Sequence, residues 1–312
     1  MVDTYIGIQT QIRNNNQRAI LMLVLFPLLV VVLVWLFFFL FIGFTLAYEG
    51  SGFFAIENFQ MTSTITLYAL PWVIGICLIW FIIAYYINIR IIRRATHSKT
   101  LHRQGNKRVY NLVENLCIAG GMSMPKINVI EDESLNAFAS GINEKTFTVT
   151  LTRGIIENLD DDELEGVIAH ELTHIRNRDV RMMIVSIVFV GIFFTLSTMM
   201  LHSISFRGKK NIIIIIIALV VAALGVFLGS LMRFSISRKR EYMADAGAVE
   251  LTKKPFALAS ALRKISGNAC VSYVTDKAVA QLFIENALTG QKSNLFASHP
   301  PILKRIEILE QF

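Results

Sequence analysis

Residues 160–180, D-D-D-E-L-E-G-V-I-A-H-E-L-T-H-I-R-N-R-D-V, decide how the rest of the chain is read. Asp160 followed by Glu163 has the form of a capping box, and the acidic run Asp160, Asp161, Asp162 suits the positive end of a helix. Leu164, Ile168, Leu172 and Ile175 then recur at i, i+4, i+8 and i+11, a stripe for a core. Arg176 and Arg178 fall near the other end, where the helix dipole favours cations. On such a helix His170 and His174 lie four apart on one face, so both imidazoles reach one metal ion. Glu171 sits about 100° further round and leans over the ion's open position. Two neutral nitrogen ligands, an open coordination position and an adjacent carboxylate are what a hydrolytic zinc site requires. A solvated helix that happens to carry two histidines is the bland alternative, and the rarity of the pattern weighs against it.

A third ligand is found downstream, in residues 237–248, S-R-K-R-E-Y-M-A-D-A-G-A. Glu241 and Asp245 are four apart and share a helical face. A glutamate there completes a His2Glu set and leaves the fourth position to water. Asp245, one turn on, is placed to accept the spare ring N–H of a ligand histidine and fix its orientation. Ala244, Ala246, Gly247 and Ala248 let this helix approach the metal helix closely. Taken alone, E-x-x-x-D reads as a charged surface helix; H-E-x-x-H upstream changes that reading.

The remaining composition belongs to a membrane protein with a modest polar part: 54% hydrophobic residues, 17% charged and a mean hydropathy of +0.54 over 312 residues. Residues 19–48 and 61–89 are two stretches without a charge, with Pro27 and Gly43 in the first and Pro71 as a kink in the second. The first is too long for a signal-peptide core and lacks a small-residue cleavage site, so it reads as an anchor. Glu49 and Glu57 lie between the runs, whereas Arg13 and Arg18 precede them and Arg90, Arg93, Arg94, Lys99 and Arg103 follow. Both ends are therefore expected on the cytoplasmic side. Residues 182–204 and 211–232 are apolar enough for a second spanning hairpin, with Gly191, Ser197, Gly225 and Gly229 for close helix contact. Arg207, Lys209 and Lys210 in its loop run against the charge bias. The formal charge of +7 clusters beside apolar runs, so topology explains it and no nucleic-acid partner is expected. Cys77, Cys117 and Cys270 are scattered and odd in number, and offer no disulfide framework.

From about residue 109 the chain turns globular. Residues 111–120 read as helix, 126–130 and 147–151 as strands, the latter (F-T-V-T-L) with alternating Thr, and 256–264 as another helix. Residues 135–141, L-N-A-F-A-S-G, offer extended backbone and a turn beside the metal helix. An exposed edge there would hold a substrate strand, with Asn136, Ala137 and Phe138 as substrate-binding residues. A last helix follows Pro301 through residues 305–311.

These stretches together resemble the HtpX-type family of membrane zinc metalloproteases, relatives of the CAAX prenyl protease. The resemblance runs from the first apolar segment to the C-terminus. It is carried by N-L-V-E-N-L-C-I-A-G-G-M-S-M-P-K (111–126), L-N-A-F-A-S-G (135–141), A-H-E-L-T-H (169–174), S-R-K-R-E-Y-M-A-D (237–245), L-F-I-E-N-A-L (282–288) and S-H-P-P-I-L-K-R-I (298–306). It implies one Zn2+ per chain on His170, His174 and Glu241, with Glu171 as general base. It further implies a bacterial inner-membrane location, a site facing the cytoplasm, and substrates among damaged, misfolded or unfolded proteins of the membrane. His299 or Arg305 would face the cleft and steady the oxyanion of the tetrahedral intermediate, a contribution of about a few kcal/mol.

The expected architecture is accordingly mainly α with a small β-sheet. A four-helix transmembrane part (residues 1–89 and the hairpin 182–232) joins a cytoplasmic, zincin-like α+β metalloprotease domain. That domain comes in two stretches, 90–181 with the metal helix and 233–312 with the third ligand. If the helices run on unbroken, the eight residues from His174 to Met182, and the eight from Arg233 to Glu241, set the metal about 12 Å along each helix from the apolar boundary. Three rival readings are weighed. An intramembrane protease of the site-2 type would bury Asp160, Asp161, Asp162, Glu163, Glu165, Arg176 and Arg178 in lipid at heavy cost. A catalytically silent scaffold or chaperone has no need of an intact ligand set. A transporter would need polar residues patterned inside the apolar runs.

Overall fold

The structure, a computed structural model, describes residues 8–50, 52–180, 239–272, 277–280, 282–285 and 300–312, with positions 219, 220, 223, 224, 227, 274 and 287. The expected hairpin at 182–232 lies almost wholly outside the described residues, and so does His299. The chain divides into two compact units: residues 1–18, 86–184 and 234–312 form one, and residues 19–85 and 185–233 the other.

The apolar unit is built on the long helices α1 (Ile8–Tyr48) and α2 (Ile56–Thr96). Within them Leu23–Tyr48 and Ile56–Ile83 carry mean hydropathies of 3.1 and 2.2. At 1.5 Å per residue each is about 40 Å long, enough to cross a hydrocarbon core of about 30 Å. The two helices face each other through Phe26 and Phe81, edge to face with centroids 6.0 Å apart, and through Trp35 Nε1, which donates to Ser63 Oγ at 3.4 Å. Near the connecting loop the buried Asn58 amide donates to Phe39 O at 3.2 Å and Phe53 O at 2.9 Å. Outward, Leu28, Val32, Leu67, Trp72, Ile76 and Ile79 stay exposed, an apolar exterior suited to lipid rather than water.

In the globular unit the strands β1 (Lys99–Thr100), β2 (Lys126–Ile130), β3 (Ala137–Ser140) and β4 (Thr148–Thr152) form one sheet in the order β1-β2-β4-β3. β2 and β4 are parallel, with Lys126 opposite Thr148, and the two outer pairs are antiparallel. β2 matches the expected strand; β4 begins one residue later than expected. The strand is buried on both faces, Val149 and Leu151 on one and the threonines on the other, where Thr152 Oγ1 donates to Ser134 O at 2.6 Å and accepts from Asn136 N at 3.0 Å. Helix α3 (Lys107–Ala119) starts at an Asn106 cap, earlier than the expected 111, and a short α4 (Arg153–Asn158) leads into α5 (Asp161–Arg176).

α5 packs on β3 and β4 on one side and on α6 (Lys239–Thr252) and α7 (Pro255–Ile265) on the other. Its stripe of Leu164, Ile168, Leu172 and Ile175 is buried, with Val149 and Leu151 of the sheet and Leu258, Leu262 and Ile265 of α7. A helix of this length is marginal alone in water, so this packing is what holds it. Two glycines allow the approach: a Cβ on Gly166 would lie 3.2 Å from Leu258 Cα, and one on Gly247 would lie 2.4 Å from Thr173 Cγ2. Ala244 and Ala248 are buried beside that contact, whereas Ala246 is exposed and takes no part in it. The C-terminal elements are α8 (Lys277–Ala280) and α9 (Ile302–Leu309), the latter following Pro301 at its N-cap and ending two residues before the expected 311.

Candidate metal centre

The N-terminus of α5 is fixed before any metal chemistry begins. Asp160 accepts from Glu163 N at 2.9 Å while the Glu163 carboxylate accepts from Asp160 N at 3.0 Å, closing the capping box. Glu163 also accepts from Ser260 Oγ at 2.7 Å and Lys264 Nζ at 2.6 Å. Burial pushes its carboxyl pKa up, but Lys264, Ser260 and the Asp160 N–H outweigh burial and hold it below the usual range. The cap thus also ties α5 to α7, and the third and fourth turns present His170 and His174.

There the two Nε2 atoms stand 3.2 Å apart, and Glu241 brings Oε2 to 3.7 Å from His170 Nε2 and Oε1 to 3.6 Å from His174 Nε2. A tetrahedral ion with N and O ligands near 2.05 Å sets those atoms roughly 3.3 Å apart. His170, His174 and Glu241 therefore fit one zinc ion; all three are buried, and their ligand atoms lie within 4.8 Å of one another. Each imidazole turns its other nitrogen to a carboxylate: His170 Nδ1 lies 3.0 Å from Asp245 Oδ1, and His174 Nδ1 lies 3.0 Å from Asp179 Oδ2. An ionised carboxylate only accepts, so each ring keeps a proton on Nδ1 and turns Nε2, the nitrogen free to ligate once deprotonated, to the shared point.

The two histidines respond oppositely to their surroundings. Burial pushes His170 down to about 4, with the Arg305 charge adding to it, so its ring is neutral at pH 7. Burial also acts against His174, but Glu241, Asp179 and Glu171 overcome it and raise its pKa to about 9. The cluster is thus rich in negative charge and prefers a cation at its centre.

Arg305 stands behind His170, with its guanidinium on Asp245. It is 1% exposed, and its Nε and Nη2 donate to Asp245 Oδ2 and Oδ1 at 2.9 and 2.7 Å, a fork-to-carboxylate pair. Nη1 donates to Ile284 O at 3.3 Å. Nη1 also stands 3.7 Å from Glu241 Oε2, so Arg305 lies beside the metal ligands while it clamps the carboxylate that orients His170. Burial opposes Asp245 ionising, but Arg305 and His170 outweigh that and hold its carboxyl below the usual range.

The expected substrate residues are also taken up within the chain. Asn136 is buried, and its amide donates to Ala269 O and Glu285 O, each at 2.8 Å. Ala137 O accepts from Ile284 N at 2.8 Å, and the Phe138 ring stacks against Phe283 with centroids 4.6 Å apart. The edge of β3 is therefore covered at Ala137 by residues 282–285, and Asn136, Ala137 and Phe138 are corrected to anchors of that segment. Ala139, two residues on, does line the cavity, with His170, Glu171, His174, Val180, Glu241, Leu282 and Ile284. That cavity is about 10 Å3, room for about one water-sized sphere.

The model of "Peptidase family M48" matches residues 103–312. The chain belongs to peptidase family M48. Within it, a "Protease HtpX homolog" of Bacteroides fragilis is 56% identical, with 99% of each chain covered. Proteins of the same description from Dictyoglomus thermophilum and Listeria monocytogenes are 47% and 36% identical, over 64% and 76% of this chain and 67% and 86% of theirs. The solved structure of S. mikatae Ste24p overlaps 76% of this chain and 57% of its own at 22% identity, with a TM-score of 0.49. For this M48 chain, the ligand-spaced residues His170, His174, Glu241 and Asp245 come together with Glu171. Sequence reasoning missed Asp179 and the Arg305 clamp. The first depends on a turn without a helical period, and the second joins residues 60 apart.

Proposed function

We propose that this M48 chain is a zinc-dependent endopeptidase of the membrane, hydrolysing peptide bonds by water attack at the centre formed by His170, His174, Glu241 and Glu171. The observation that carries it is the trio of ligand atoms spaced for one ion, with Glu171 lining the same cavity. His170, His174 and Glu241 hold the ion. Zinc, when bound, supplies a Lewis acid that acidifies water and polarises the scissile carbonyl. Glu171 takes the proton from the attacking water and hands it to the departing amine. Asp245, itself gripped by Arg305, keeps His170 in the tautomer that ligates. No acyl-enzyme forms, so serine and cysteine reagents leave the enzyme active.

Several features support the wider setting. The crowd of charges from Asp160 to Asp179 argues for a metal helix outside lipid, against an intramembrane site. The complete ligand set argues against a silent scaffold. The positive-inside bias of residues 90–103 argues for a multi-pass protein with its N-terminus and catalytic unit in the cytoplasm. Damaged or misfolded membrane proteins are the substrates that the family resemblance implies. The end of α5 at Arg176 removes the unbroken-helix distance of about 12 Å on that side, but a tether at 182–232 still argues for cuts in tails and loops near a span. A long flexible linker inserted after Arg181 should then impair cleavage of membrane substrates and spare a soluble peptide. The function itself is tested by digestion of an unfolded model protein: the wild type should cleave it, and chelator or Glu171→Ala should abolish cleavage. Undiminished turnover by Glu171→Ala would end the proposal.

A further inference from the structure

We infer that Asp179 is a positioning residue of the metal centre, orienting His174 as Asp245 orients His170; the inference rests on the zinc reading above. Asp179 lies five residues after His174. Had α5 simply continued, five steps of about 100° would put it about 140° round the helix from His174, out of reach of the ring. The helix breaks instead. α5 ends at Arg176, Asn177 serves as its C-cap, and Arg178 takes φ of +62°, the left-handed region that glycine favours and other residues enter at a cost. That one residue redirects the backbone so that the next side chain points back at His174. Arg178 is held outside by Glu144, at 3.2 Å from its Nη2, and by the Phe147 ring, 5.3 Å from its guanidinium carbon.

The result is a carboxylate that is 1% exposed, with Oδ2 3.0 Å from His174 Nδ1 and Oδ1 3.7 Å from Arg240 Nη1. Arg240 immediately precedes the ligand Glu241 on α6. Asp179 therefore meets the first ligand-bearing segment through His174 and the second through Arg240, so the two halves of the centre are locked beside the metal position as well as at it. A local strain held by outside contacts, delivering a buried carboxylate to a ligand ring, is the pattern of a built support rather than of a stray surface acid.

The test uses the full chain in detergent. Zinc affinity is measured by chelator competition for wild type, Asp179→Asn, Asp179→Ala and, as a reference, Asp245→Asn. Activity on a soluble peptide is then followed against buffered free zinc. The inference predicts zinc binding weakened about 10- to 100-fold in Asp179→Asn, comparably to Asp245→Asn. Raising free zinc should restore its activity to near the wild-type plateau with unchanged KM. A general structural defect would lower the plateau without moving the zinc midpoint, and that result overturns the inference. So does an Asp179→Asn affinity within about threefold of wild type, since each supporting residue is expected to contribute at least tenfold. Should Asp179→Ala fail to fold, the near-isosteric Asn variant decides. A wild type that binds no zinc overturns the metal reading itself, a result distinct from either of these.

Discussion

Replacing Arg305 by Met should damage the centre from behind. Arg305 and Asp245 are 1% and 3% exposed and share two charge-assisted hydrogen bonds of 2.7 and 2.9 Å. Removing one partner of such a buried pair leaves an uncompensated charge and costs about 3–5 kcal/mol. For a unit of this size each kcal/mol moves the melting temperature by about 2–4 °C, so the variant should melt roughly 6–20 °C lower. Arg305→Lys reaches only one carboxylate oxygen and lacks the planar fork, so it should fall between. The double variant Arg305→Met, Asp245→Asn removes both charges, and its loss should be smaller than the sum of the singles by about 1–3 kcal/mol. Thermal unfolding of the purified chain in detergent reads wild type, Arg305→Met, Arg305→Lys, Asp245→Asn and the double variant. A single variant melting within about 2 °C of wild type, or a double variant that is simply additive, would refute the clamp.

Zinc binding should release about one proton at pH 7.5, because His174, raised to about 9, must give up its proton while His170, lowered to about 4, has none to give. Apparent affinity should therefore climb about tenfold per pH unit and level off above about 9; titration in weakly buffered indicator dye checks both. Gly247→Val should weaken zinc binding and stability together by about 1–3 kcal/mol, since its Cβ would fall 2.4 Å from Thr173 Cγ2 and push α6 off α5. Calorimetry and chelator competition should show both losses. Glu163→Ala should cost about 0.5–2 kcal/mol by opening the cap of α5 and cutting its tie to Ser260, read by urea unfolding.

What could be read from the chain was local and periodic. The Asp160–Glu163 cap, the stripe from Leu164 to Ile175 and the i, i+4 pairs His170/His174 and Glu241/Asp245 each follow from helix geometry, and each stands in the structure as spacing predicts. What could not be read was contact between distant, aperiodic segments. Asn136 to Phe138 looked like an open strand edge because nothing in residues 282–285 announces that they will cover it. Arg305 looked free for the cleft because its partner lies on another helix. The threonines of β4 alternate like a half-exposed strand, yet their hydroxyls find bonds that let both faces be buried. Asp179 escaped notice because its placement hangs on one left-handed arginine, a conformation with no sequence signal short of glycine or asparagine.

The central claim is that two imidazoles and one carboxylate, from helices separated along the chain, hold a single ion. Elemental analysis of the purified chain after zinc loading and extensive dialysis addresses it most directly, applied to wild type, Glu171→Gln, His170→Ala, His174→Ala and Glu241→Ala. Wild type and Glu171→Gln should each retain about one zinc per chain, and the three ligand variants should retain none. Full zinc in Glu241→Ala, or an empty wild type, would contradict the account.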